Sequence, residues 1–227
     1  MVYGYIRLEE AADWKQVVGE SKWRPGYSAC ELAQAWEKGE FPAEVQTVLN
    51  SAPAPFPKPL IPNYMLVEKP VFLDNQKAPS MTDIMVYCNM QSAEPFIIAV
   101  EGKANEPFGN DTVADWALNK MPTPTPTRAA RLEFLSRELG VPVPDDSPLR
   151  YQLIHRSVSA LLESGLHGAT SCMLLVHSFG EHTNSNWTDY AAFLNHIGIA
   201  NPVKNAVSGP VKLGQNNDKN FYAAWIE

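Results

Sequence analysis

Three strand-like stretches follow one another across residues 64–103 with only short turns between them, and the next apolar strand arrives after a long helical segment. Short turns join antiparallel neighbours, whereas a parallel neighbour needs a long crossover, usually a helix. The chain is therefore predicted to build a mixed central β-sheet flanked by helices, an α/β domain. No internal repeat is visible, which removes solenoids and propellers.

The first stretch, 64–73, carries Met65, Val67, Val71 and Phe72 and is expected to be bulged near Pro70. Strands follow at 81–88 and 95–103, and Cys172 to His177 reads as a buried strand. Residues 221–226 are expected to form an edge strand. Ser28 and Glu31 have capping-box spacing for a helix running to Gly39. A short helix is expected over 111–120, and Thr127 is read as the cap of a helix that stops at Gly140. Ser147-Pro148 opens a longer helix with a stripe at Tyr151, Ile154, Val158 and Leu161, closed by Gly165. A last helix spans 188–197 and is stopped by Gly198. The prolines cluster at 53–62, 122–126 and 142–148 and read as stiff surface connections. The expected organisation is a single domain over 1–227, with an accessory helix and strand in 187–227.

Composition bounds the function. Apolar residues make up 45% of the 227-residue chain, enough for a sizeable core, so disorder is excluded as a description of the whole. A formal net charge of −7 argues against a polybasic binder that coats nucleic acid. The first ten residues lack the basic and apolar regions of a signal peptide, and no apolar run is long enough to span a bilayer. Cys30, Cys88 and Cys172 are an odd, widely spaced set that reads as reduced thiols. A cytoplasmic protein without membrane contact is expected.

Chemistry concentrates where the run Phe96-Ile97-Ile98-Ala99-Val100 leads into Glu101-Gly102-Lys103. Side chains alternate along a strand, so Glu101 and Lys103 share a face with Gly102 opposite. Charges at the end of a buried strand are expensive unless paired or functional. Glu-x-Lys is a common triplet, and Glu20-Ser21-Lys22, in a polar stretch, carries no such meaning. Context separates them. In a hairpin of 83–88 with 96–103, Asp83 lies beside Glu101 and Lys103. Two carboxylates at one edge repel unless a hard cation sits between them, and Mg²⁺ takes one or two carboxylates plus waters. A lysine beside that ion can orient or help deprotonate a bound water. Gln152, His155 and Arg156 stand at i, i+3 and i+4 and share one face of the long helix.

Asp83, seventeen intervening residues, then Glu101-Gly102-Lys103, in the order helix–strand–strand–strand–helix–strand, resembles the PD-(D/E)xK, or restriction-endonuclease-like, nuclease superfamily. The resemblance covers about residues 28–178. It departs at Thr82, where the superfamily pattern has proline. It implies a nuclease that cleaves nucleic acid, DNA favoured over RNA, with Mg²⁺ or Mn²⁺ held by Asp83, Glu101 and the Gly102 carbonyl. Lys103 would lie near the attacking water, and Gln152 resembles the glutamine that some members place beside the metal. His155 and Arg156 are read as contacts to substrate phosphate. Cutting two strands at a symmetric site would need a homodimer. The stretches Val-Glu-Gly-Lys-Ala-Asn-Glu-Pro-Phe-Gly and Arg-Tyr-Gln-Leu-Ile-His-Arg are also similar to an uncharacterised bacterial family.

Other chemistries find less support. No His-Glu-x-x-His, cysteine cluster, P-loop or Gly-x-Ser-x-Gly elbow is present. Glu68 is a further candidate for the acidic cluster, whereas Glu106 is read as shaping the turn before Pro107. Two alternatives stay open: a non-catalytic interaction module on the same fold, and a hydrolase of a small nucleotide or phosphoester. Given the acidic balance, phosphate contacts must rest on a local patch, for which Arg128, Arg131, Arg150 and Arg156 are the candidates.

Overall fold

The computed structural model describes residues 10–74, 78–180 and 184–227. Its six strands are β1 (Leu60–Val71), β2 (Ser80–Met90), β3 (Pro95–Lys103), β4 (Ser171–Ser178), β5 (Ala206–Leu213) and β6 (Lys219–Ile226). They form one sheet in the order β1-β2-β3-β4-β6-β5. The first three strands pair antiparallel, β4 is parallel to β3, β6 is parallel to β4, and β5 closes the sheet antiparallel to β6. The helices are α1 (Ala11–Val18), α2 (Ser28–Trp36), α3 (Ala43–Ser51), α4 (Val113–Leu118), α5 (Pro126–Leu139), α6 (Tyr151–Leu166) and α7 (Asn184–His196). The expected mixed sheet flanked by helices is what forms.

The central strand explains the layering. Phe96, Ile98 and Val100 point to a core built with Leu32, Trp36, Val45 and Leu49 of α2 and α3. Ile97 and Ala99 point the other way, to Leu135, Leu153, Ile154, Val158 and Phe193 of α5, α6 and α7. A strand buried on both faces reads as one continuous apolar run, which is why 95–103 was legible. Each fully buried Val, Leu, Ile or Phe among these stabilises the fold by about 1.5–3 kcal/mol.

Several local expectations need correction. Ser28 is not a cap but the first residue of α2; Tyr27 is the N-cap, and Glu31 Oε1 accepts from the Gly26 N–H at 2.8 Å. The cap of α5 is Thr125, one residue before Pro126 at the first helical position. α6 starts at Tyr151 rather than at Ser147-Pro148, and Ser147 Oγ accepts from the Leu149 N–H. Gly165 does not close that helix, which runs on to Leu166. The β1 register shifts between Pro62 and Tyr64, not near Pro70, which pairs in register with Met81. β6 is interior, and the edge is β5. The first proline cluster is more than a connection: Phe56 packs 5.9 Å from Phe96 and 5.1 Å from Tyr222, ring centre to ring centre.

Gly102 shows what sets the end of β3. It faces α2, and a Cβ there would overlap Leu32 Cδ1 and lie 2.7 Å from Leu32 Cγ. Leu32 is fully buried, so its side chain has little room to retreat. Gly102→Ala is expected to lower the unfolding free energy by about 1–3 kcal/mol. A urea midpoint equal to the parent's would show that α2 yields more easily than this packing implies.

Among the described residues, no helix is long and apolar enough to cross a membrane. All three cysteines are free and buried. Burial pushes the Cys88 and Cys172 thiols up to about 12, which argues against either as a nucleophile near neutrality.

Candidate active site

The β2–β3 ladder is regular from Asn89↔Pro95 to Ile84↔Val100 and stops there. Past it, the Gly102 N–H donates to Asp83 Oδ2 at 2.8 Å, so the carboxylate is tied to the strand that carries Glu101 and Lys103. β1 and β2 also turn over at this level. Val67 packs with the α2–α3 core and Val71 with the α5–α6 core, although residues four apart in a regular strand share a face. Between them Glu68 adopts φ 46°, a left-handed conformation that costs a non-glycine residue about 1–3 kcal/mol. Across the ladder, Ile84 faces the α2–α3 core while Thr82 and Ser80 accept from Arg156 of α6. The register places Glu68 opposite Asp83 at this switch of faces.

Glu101 is the centre of the cluster. Its side chain is 1% exposed, and three donors hold it. Lys103 Nζ donates to Oε1 at 2.6 Å, Gln152 Nε2 to Oε1 at 2.7 Å, and Arg156 Nε to Oε2 at 2.6 Å. Arg156 also donates to Thr82 Oγ1 at 3.1 Å and Ser80 Oγ at 3.3 Å, and its Nη2 lies 3.7 Å from Asp83 Oδ1. The Lys103 ammonium sits 5.3 Å from the centre of the Phe108 ring.

The two carboxylates divide accordingly. Burial alone would raise the Glu101 carboxyl, but the charges and hydrogen bonds of Arg156 and Lys103 hold it at about 2. Asp83 is pushed up to about 7 by burial and by the Glu101 charge, against a smaller pull from Arg156 and Lys103. Burial also raises Glu68. The cluster thus has one carboxylate firmly ionised and another poised near neutrality.

These groups line a cleft of about 530 Å³ at the open end of the β2–β3 hairpin. Asp83, Glu101, Lys103, Gln152 and Arg156, all expected at the site, border it together. Glu68 joins them. Two buried acceptors on its walls, Gln152 Oε1 and Glu106 Oε2, have no hydrogen-bond partner among the described residues. Glu106 Oε1, in turn, accepts from the Ser28 N–H at 3.0 Å and ties α2 to the loop after β3.

Two expectations do not match this arrangement. His155 does not border the cleft; its Nδ1 lies 2.9 Å from Ser80 Oγ and its ring packs 5.0 Å from that of Tyr151. Burial and the Arg156 charge push its imidazole down to about 3, so it is neutral where it sits. Arg156 faces carboxylates rather than an open phosphate position. Of the four arginines expected to form a phosphate patch, Arg156 alone borders the cleft among the described residues. Arg131 pairs with Asp74 and Arg150 with Asp189, while Arg128 donates to the Trp116 carbonyl at 2.6 Å.

A family model described as a domain of unknown function, DUF6946, matches residues 7–227. The chain belongs to this family. The matched range takes in every wall of the cleft. No curated protein and no solved structure matches the chain.

Sequence reasoning missed the outer wall. Lys22, Arg24 and Tyr27 also border the cleft, and all three are exposed. The Glu20-Ser21-Lys22 triplet, set aside as meaningless, contributes Lys22 to it, close enough to pull the Glu68 carboxyl back down. No local pattern marks these residues; only the approach of α2 to the loop after β3 brings them there.

Proposed function

We propose that the protein is a metal-dependent phosphodiester hydrolase acting on nucleic acid. The observation that carries this reading is the convergence of Asp83, Glu101, Lys103 and Gln152 in one open cleft at the end of the β2–β3 hairpin. The parallel β4 after a helical crossover, beside three antiparallel strands, is consistent with the nuclease superfamily that the motif resembles.

The residues fit a hard divalent cation. The carboxylates Glu68, Asp83 and Glu101 outnumber the two buried cations, Lys103 and Arg156. Among the described residues, the contact of Asp83 Oδ1 is the Arg156 guanidinium at 3.7 Å, and Gln152 Oε1 is buried without a hydrogen-bond partner. Among the described residues no three His, Cys, Asp or Glu side chains gather as ligands, but Mg²⁺ is commonly held by one or two carboxylates and waters. Asp83 and Glu101 would hold Mg²⁺ or Mn²⁺, with the Gly102 carbonyl as a further oxygen. Such an ion supplies Lewis-acid polarisation of a phosphoryl oxygen and lowers the pKa of its bound water. Lys103, fixed on Glu101, is positioned to orient the attacking water and offset charge on the phosphoryl group. Arg156 and Lys103 keep Glu101 ionised, and the hydrogen bond from Gln152 helps to aim it.

The test is cleavage of labelled DNA and RNA with and without Mg²⁺ or Mn²⁺. The parent should cut only with the ion, and Asp83→Ala and Lys103→Ala should each lose about 10²-fold or more. Cleavage by both variants at the parental rate would remove these residues from the site. A second reading, a non-catalytic interaction module, is favoured by one observation: both oxygens of Glu101 are already engaged by donors. It requires that calorimetric titration with Mg²⁺ and Mn²⁺ give no binding heat.

A further inference from the structure

We propose that residues 21–28 form a grip for single-stranded nucleic acid, with Tyr27 as a platform for one unpaired base and Lys22 and Arg24 as contacts to neighbouring phosphates. The inference rests on the nuclease reading only in sharing its cleft. Of the cations that border this cleft, Lys103 and Arg156 are buried against carboxylates, whereas Lys22 and Arg24 are exposed. Tyr27 is 42% exposed, and the Arg24 guanidinium lies 6.0 Å from the centre of its ring. An exposed aromatic beside cations is the arrangement by which single strands are held, since every unpaired base offers a face for stacking. Bases in a duplex are already stacked and leave such a ring nothing to hold.

The segment is built rather than loose. The Gly26 N–H donates to Glu31 Oε1 and the Gly26 carbonyl accepts from Asn105 Nδ2, both at 2.8 Å. The Ser28 N–H donates to Glu106 Oε1, and the Tyr27 carbonyl accepts from the Glu31 N–H. Asn105 and Glu106 lie two and three residues after Lys103, so the grip is riveted to the strand that carries Glu101. Two exposed cations also suit a chain of net charge −7, because they neutralise few phosphates.

Fluorescence anisotropy in EDTA reads binding apart from cutting. The probes are a labelled oligothymidylate of about ten nucleotides, its abasic counterpart and a duplex of equal length. The oligothymidylate should bind more tightly than the duplex. Tyr27→Ala should weaken it about tenfold while leaving the abasic strand's affinity unchanged. Lys22→Gln with Arg24→Gln should flatten the slope of log affinity against log salt by about 1.4, the value for two single-strand phosphates. Thermal melts confirm that these surface variants fold. Parental affinity and slope in both variants, or duplex bound as tightly as single strand, overturns the grip. Binding through these residues without cleavage in Mg²⁺ or Mn²⁺ upholds the grip and removes the nuclease reading. Asp83-dependent cleavage whose KM is unmoved by the three substitutions does the reverse.

Discussion

Arg156→Met is expected to lower the unfolding free energy by about 3–5 kcal/mol, the cost of leaving one oxygen of a buried carboxylate without its charged partner. The guanidinium is 2% exposed and is the only group on Glu101 Oε2 among the described residues. It also ties Thr82 and Ser80 of β2 to α6, so its removal loosens the strand that carries Asp83. The Glu101 carboxyl, held at about 2 by Arg156 and Lys103 against its burial, should move upward in the variant. Urea denaturation at neutral pH measures the loss, and an unchanged midpoint would sink this account. The paired variant Glu101→Leu/Arg156→Met should recover only part of the loss, since it removes both charges of this pair but leaves the buried Lys103 without Glu101. Lysine at 156 keeps the charge but cannot reach Glu101, Thr82 and Ser80 with a planar fork, so it should rescue poorly.

Asp83→Asn is expected to cost about 10²-fold or more in cleavage while stabilising the metal-free protein above neutrality. The sign follows from linkage. The Asp83 carboxyl is raised from 3.8 to about 7 in the folded protein. Between those values the folded state keeps a proton that the unfolded chain releases. The resulting stabilisation is fully present below about 4 and is lost as pH rises through about 7. Above that, the parent holds an ionised Asp83 beside Glu101, and asparagine removes the repulsion while still accepting the Gly102 N–H. The variant should be more stable than the parent at pH 8 by about 1–2 kcal/mol, with a flatter stability profile between pH 5 and about 8. Glu101 acts in the opposite sense: its stabilisation is present above 4.5 and is lost as pH falls through about 2. Excess Mg²⁺ at pH 8 should raise the melting temperature of the parent and not of the variant. A variant less stable than its parent at pH 8 would show that Asp83 stabilises the fold instead of straining it.

The cost at Asp83, which the proposed function requires at the metal, fits the left-handed Glu68 opposite it. Both depart from what a stable hairpin prefers, and both lie where the sheet opens into the cleft. Arg156, by contrast, supports this opening by holding Glu101 from one side and β2 from the other.

How far the sequence reached depends on the range of the physics involved. β3 was legible because burial on both faces leaves a run of apolar residues, and alternation then fixed Glu101 and Lys103 on one side. The convergence of Asp83 with them needed only the short turn between β2 and β3. Caps were legible in kind but shifted in position. Tyr27 caps α2 because Glu106, far along the chain, takes the Ser28 N–H, whereas Pro126 marked the start of α5 within the sequence itself. α1, α3 and β5 were missed because each is short and half-exposed, so its apolar pattern is weak.

The mixed sheet followed from connection lengths, the hairpin motif from a short turn and strand alternation, and the shared helix face of Gln152 and Arg156 from the helical period, all of them short-range features of the chain. What those side chains meet follows from the packing of distant elements. The rotation of α6 against the sheet sends Gln152 and Arg156 to Glu101 and turns His155 to Ser80. The approach of α2 to the loop after β3 brings Lys22, Arg24 and Tyr27 to the cleft and leaves the expected arginine patch elsewhere. Periodicity fixes which residues share a face, but the packing of distant elements fixes what that face touches.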